Sequence, residues 1–187
     1  MRLYQLLANV IDRPGPDLSQ RIDECITLLR PLHGRPAALL KEIRAFLRKT
    51  SVDTMGEIYT KTFHLDGACY LSVGYHLFGD GNHHEMFQAG LKELYQVYGF
   101  SPEIELPDHL GVMLRFLARD EDKEERDELV SLSILPALKK MMMGFRDEGN
   151  PYKKVLQALL LLLQENEEAV DKQITRTMTV EEFRHDR

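Results

Sequence analysis

The sequence predicts an all-α fold in a single globular multi-helix domain. Apolar residues recur at helical spacing along nearly the whole chain, and no alternating pattern runs longer than a few residues. Breakers fall between the periodic segments. The 187 residues are 43% hydrophobic and 29% charged, which suits one core of ordinary size.

Leu3, Leu6, Leu7 and Val10 give the first helix, over 3–11, and "RPGP" stops it. Asp17 or Ser19 caps a second helix carrying Leu18, Ile22, Cys25, Ile26 and Leu29. "HGRP" at 33–36 breaks the chain again, and Leu39, Leu40, Ile43, Phe46 and Leu47 continue the pattern to Arg48. Ser51 or Asp53 opens the next segment, through Met55, Ile58, Tyr59 and Phe63. Further breaks are Asp66-Gly67, Gly79-Asp80-Gly81, Gly99 and Pro102. Helices follow over about 82–98, 107–118 and 122–145, the last kinked or split by Pro136. A final helix covers about 152–168, so the domain is read as 1–169. Residues 170–187 form a polar tail, read as frayed or disordered. Roughly eight to ten helices result. Several are apolar nearly all round, which places them in the middle of a globule rather than on its skin.

Composition narrows the function. The net charge of -6 and the lack of a basic stripe argue against nucleic acid and against an anionic membrane surface. The first residues, "MRLYQLLANVIDRP", do not read as a signal peptide, and "ALLLLL" at 158–163 is far short of the ~18 residues that span a bilayer. Direct membrane insertion is therefore not expected. Cys25 and Cys69 form no CxxC pair and read as buried reduced thiols of a cytoplasmic protein.

Catalytic equipment is hard to find. No His-x-x-x-His pair offers two metal ligands on one helix face, and His83 with His84 reads as a solvated helix start. "GDG" at 79–81 is a turn, not a phosphate loop. There is no Gly-x-Ser-x-Gly, and the acidic run at 119–128 is a solvated helix start. "MMMGF" at 141–145 reads as irregular core filling or as an adaptable peptide-binding surface. Pro107-Asp108-His109 opens the apolar helix, with Pro107 in its first turn and Asp108 at its positive end. Leu106, Leu110, Met113, Leu114 and Leu117 form one face of that helix. His109 can pair with Asp108 or with a ligand. An enzyme using these two as an acid–base pair needs a polar pocket and a third, orienting group.

"LPDHLGVMLRFLA" (106–118) and "KTFHLDGACYLSVGYHLFGD" (61–80) together resemble the NarJ-type assembly chaperones of nitrate reductase, its delta subunit, within the TorD/DmsD redox-enzyme maturation group. The resemblance is best over 50–120 and weaker over "NPYKKVLQALLLLL" (150–163). It implies a TorD/NarJ-like all-helical cytoplasmic protein with no catalytic activity and no cofactor of its own. Its partner would be the N-terminal peptide of a molybdoenzyme catalytic subunit, held while the molybdenum cofactor and iron–sulfur cluster are inserted, before membrane attachment or export. It implies a peptide-binding region at Tyr70, Tyr75, His76 and Phe78 with Pro107, Asp108 and His109. Met113 is added as an apolar contact, and Asp108 and His109 are expected as polar anchors at the groove edge. A monomer or weak dimer is expected. Gly111 and Arg115, and "GNHHEMF" after the "FGD" turn, depart from the family's usual residues and bear on which client is served. A helical adaptor or structural subunit bound permanently to a respiratory oxidoreductase is the alternative.

Overall fold

A computed structural model of the chain describes residues 2–65, 69–102, 105–119 and 123–185, with side chains for all of these except Leu65, Lys123 and 170–185. The order is α1 (Arg2–Ile11), α2 (Leu18–Leu29), α3 (Gly34–Leu47), α4 (Val52–Thr60), the π-helical turn π1 (Lys61–Leu65), α5 (Val73–Phe78), α6 (Asn82–Val97), α7 (Leu110–Leu117), α8 (Lys123–Leu129), the turn π2 (Val130–Ile134), α9 (Leu135–Gly144) and α10 (Pro151–His185). Among the described residues there is no strand, only an isolated antiparallel bridge between Ser72 and His109. The all-α expectation therefore holds.

The apolar stripes read from the sequence become the packing. α1 buries Leu6, Leu7, Val10 and Ile11 against α7 and α2. α2 packs on α3, and α3 on α10, which also packs against α9. α10 brings Tyr152, Val155, Leu156, Leu159, Leu162 and Leu163 into the core. Its backbone is helical to His185, beyond the 168 expected for that helix. Each large apolar side chain buried this way contributes about 2 kcal/mol. Polar ties hold the outside: His33 to Glu165 at 2.7 Å, and Lys154 to Glu42.

Local chemistry sets several ends. Ser51 caps α4, its Oγ accepting from Thr54 N at 3.1 Å. Asp17 stands at the cap of α2, but its carboxylate pairs with Arg21 instead of capping. α6 ends in a Schellman motif at Gly99, φ 60°: Phe100 N donates to Tyr95 O at 2.8 Å, and the two rings meet edge-on at 5.0 Å. Pro136 interrupts the α-helical pattern of the long segment without splitting it, since the backbone stays helical from Lys123 to Gly144. Proline has no N–H and crowds the carbonyl four residues back, and the wider turn π2 absorbs this, with Leu135 N donating to Val130 O.

α7 is the most enclosed element: Leu110, Gly111, Val112, Met113, Leu114, Phe116 and Leu117 are all buried. It begins at Leu110 with His109 as its cap, three residues later than expected. Leu106 lies outside the helix and is exposed, so it is no part of the apolar face. Cys25 and Cys69 are both buried and form no disulfide, although Cys69 sits in a turn and not in a helix.

Candidate functional site

The two motifs come together at the Ser72–His109 bridge. Val73 N donates to Asp108 O at 2.9 Å, and Leu110 N donates to Leu71 O at 2.7 Å. This bridge sets the start of α5 against the start of α7.

Asp108 is fully buried. Its Oδ2 accepts from Ser72 Oγ, from His84 Nε2 at 2.9 Å and from Gly74 N at 3.2 Å. Its Oδ1 accepts from Gln88 Nε2 at 2.7 Å. Ser72 in turn caps α5, accepting from Tyr75 N at 3.2 Å. Burial alone pushes a carboxyl up, but the donors Ser72, His84 and Gln88 outweigh it and hold Asp108 below the usual range. The carboxylate therefore sits at a helix's positive end as expected, but at that of α5 rather than α7. It pins α5 to α6. Its lone pairs are occupied and it faces no solvent, which corrects the expectation of a free anchor at a groove edge.

Gly74 completes this clamp. A Cβ there would stand 2.5 Å from the His84 ring and 2.9 Å from that of Phe87, so only glycine lets α5 and α6 cross so closely.

His109 does not pair with Asp108; His84 does. Its Nδ1 accepts from Gly111 N at 3.2 Å and so caps α7. Burial pulls its pKa down, against the raising effect of Glu105, Asp12 and Asp108, and with a further lowering by Arg115. Arg115 pairs with Asp12 just beyond the end of α1. A Cβ on Gly111 would come within 3.2 Å of Arg115, Asp12 and His109, so both departures from the family pattern, Gly111 and Arg115, belong to this one contact.

The other expected site residues divide by exposure. Pro107 is buried, its carbonyl accepting from Tyr95 Oη at 2.8 Å, and it precedes the helix instead of opening it. Met113 is wholly buried and offers nothing to a surface ligand. Tyr70, Tyr75 and His76 are half-buried in an edge-on series, 5.4 Å from Tyr70 to Tyr75 and 5.7 Å from Tyr75 to His76. His76 Nε2 donates to Tyr70 O at 2.7 Å, and burial lowers its pKa. Phe78 is 50% exposed, leaning on Phe87 at 5.6 Å and stacking on His83 at 6.5 Å. Beside it Lys140 Nζ donates to Leu77 O at 3.3 Å, which brings α9 against the end of α5. The methionine run divides too: Met141 is buried and Met143 is 78% exposed.

Sequence reasoning missed Ser72, His84 and Gln88. A signal existed: His84, Gln88, Leu91 and Tyr95 share one face of α6, the face that turns inward. His83 is solvated as expected, and His84 is not. A cavity of about 390 Å³ opens nearby, lined in part by Lys61, Thr62, Cys69, Phe145, Arg146 and Asn150, and by none of the expected site residues. Among the described residues no cluster of His, Cys, Asp and Glu could hold a metal, and no helix is long and apolar enough to cross a membrane.

Comparison with known proteins fits this architecture. Among solved structures, the fold is similar to a protein of Archaeoglobus fulgidus described as a redox enzyme maturation protein, with a TM-score of 0.61 at 22% identity over 88% of this chain and 94% of that one. No curated protein matches the sequence. A family model described as nitrate reductase delta subunit matches residues 33–165, which include α3 through α9, the Asp108 clamp and the aromatic end of α5. The chain therefore belongs to the nitrate reductase delta subunit family, whose members are redox-enzyme maturation chaperones and not catalysts.

Proposed function

We propose that this chaperone binds the N-terminal segment of a molybdoenzyme catalytic subunit of the nitrate reductase type. It holds that subunit in the cytoplasm for molybdenum cofactor and iron–sulfur insertion, before membrane attachment or export. The observation that carries this reading is the aromatic end of α5. Phe78 stays half exposed in a short helix whose other end is fixed by a buried carboxylate. Tyr70, Tyr75 and His76 continue the surface, and Lys140 of α9 meets the end of α5 at Leu77. Apolar, polarisable side chains on a rigid base suit an amphipathic client helix laid across them.

The roles divide accordingly. Tyr70, Tyr75, His76 and Phe78 touch the client. Pro107, Asp108 and Met113 position α5 from beneath, and His109 fixes the start of α7. Calorimetric titration with a synthetic N-terminal peptide of the catalytic subunit tests this. Expected is saturable one-to-one binding with a negative heat-capacity change, weakened about tenfold by Phe78→Ala. Binding unaffected by Phe78→Ala moves the site elsewhere. No binding at all, with co-purification on the mature enzyme, favours a permanently bound adaptor.

A further inference from the structure

We propose that the outer face of α3 docks this chain on an anionic lipid surface. Residues 30–52 carry six lysines and arginines against a single acid, Glu42, in a chain whose net charge is -6. These bases stand singly or in pairs, so the sequence shows no basic run, and it is the helix that gathers them. At about 100° per residue, Arg35, Ala38, Lys41, Glu42, Ala45 and Arg48 share about 140° of arc, centred opposite the buried Leu40 and Ile43, and all six are exposed. Arg30 lies exposed before α3 and Lys49 just after it. The average charge of the chain argues against an anionic surface, but the field over this face is positive.

The acids that could neutralise the face are taken up within the chain: Glu42 by Lys154, Asp23 by Arg44 at 2.8 Å and Glu165 by His33 at 2.7 Å. Asp53, the next acid along the chain, stands in the first turn of α4. Among the described residues, no ion pair or side-chain hydrogen bond occupies Arg30, Arg35, Lys41, Arg48 or Lys49. Apolar side chains border the same face. Phe46, 38% exposed, stands at the edge of the arc, and Leu32, two residues before α3, is 83% exposed. Bases mixed with exposed leucine and phenylalanine compose a helix that lies on a headgroup layer, its cations on lipid phosphates and its apolar side chains below them. Ala38 and Ala45, in the middle of the arc, let the backbone come close. A peptide partner needs a groove or a strand edge, whereas the outer side of a surface helix is convex. The face belongs to α3 and not to α5, so docking and client binding are separate readouts.

Co-sedimentation of the full chain with vesicles tests this. Binding is expected to phosphatidylcholine vesicles with about 30% phosphatidylglycerol and not to phosphatidylcholine alone, and it is lost in about 0.5 M sodium chloride. Lys41→Ala weakens binding about fivefold, Arg48→Ala with Lys49→Ala about twenty-five-fold, and Leu32→Ser, which keeps every charge, about fivefold. Lys92→Ala, at an exposed base of α6, changes nothing. Circular dichroism checks that these exposed changes leave the fold intact. No binding to anionic vesicles, or binding that Lys92→Ala weakens as much as Lys41→Ala does, overturns the proposal. So does capture by poly-glutamate that ignores Leu32→Ser, with no binding to vesicles, which assigns the face to an acidic protein.

Discussion

α5 and α7 meet at their starts, through the Ser72–His109 bridge, and came from one reading of the sequence as two halves of a single site, yet they are built by opposite means. α7 is held by oil: seven of its residues are buried and its few polar contacts are at its ends. α5 is held by a charge. Six residues cannot sustain a helix alone, and this one starts on a buried carboxylate and ends on a half-exposed phenylalanine. The difference teaches which motif residues can meet a partner. A residue that belongs to the core supports the surface from below, whereas the end of a short, clamped helix is free to present aromatics.

The sharpest way to break the comparison is to remove the charge. Asp108→Ala takes their shared acceptor from Ser72, His84, Gln88 and Gly74 N, all at least partly buried. It should cost about 4 kcal/mol in urea unfolding. The pH dependence is a second readout. Asp108 titrates lower when folded than the ordinary 3.8. A depressed folded value means that its stabilisation is complete above the unfolded pKa and is lost as pH falls from there through the folded one. That component should be missing in the variant. Wild-type-like stability with an unchanged acid limb would mean the carboxylate clamps nothing.

Next in size is the oil. Leu114→Ala in α7 should cost about 3 kcal/mol, the range for a fully buried leucine, with no acid-limb change. Below that comes Gly74→Ala, about 2 kcal/mol, because the added methyl forces the His84 ring out of the α5–α6 crossing. His109→Ala removes only a cap, about 1 kcal/mol. Its folded pKa lies below the ordinary 6.5, so the wild type should also lose a little stability as pH falls through and below that value. His109→Asn should recover the cap without that loss. A cost of several kcal/mol for His109→Ala would put this side chain in the core network instead.

The fold was legible because periodicity, breakers and caps are local. The stripe of α1, the Ser51 cap, the Gly99 terminus and the interruption at Pro136 all follow from residues within a turn or two of one another. The clamp was legible only in part. Asp108 was found, and a carboxylate at a helix's positive end was the right chemistry. The helix was wrong, because the one it serves lies 34 residues earlier and meets it only through tertiary contact. His84 was set aside because two adjacent histidines at a helix start look solvated, and only the Leu91–Tyr95 face says which of them turns inward. Met113 looked like a binding residue by type, whereas burial decides. The pairing of Arg115 with Asp12 spans 103 positions and has no local signature at all.

The smallest expected effect on stability is the one that separates support from contact. Phe78→Ala removes a ring that is 50% exposed and touches mainly Phe87 and His83. It should change unfolding by about 0.5 kcal/mol or less. If the end of α5 is the client surface, the same change weakens peptide binding about tenfold, the behaviour of an interface anchor. Leu114→Ala should do the reverse under folding conditions, lowering stability while leaving the affinity of the folded fraction nearly intact. A Phe78→Ala variant that is strongly destabilised, or a Leu114→Ala variant that stays folded but no longer binds, would exchange the roles of the two helices.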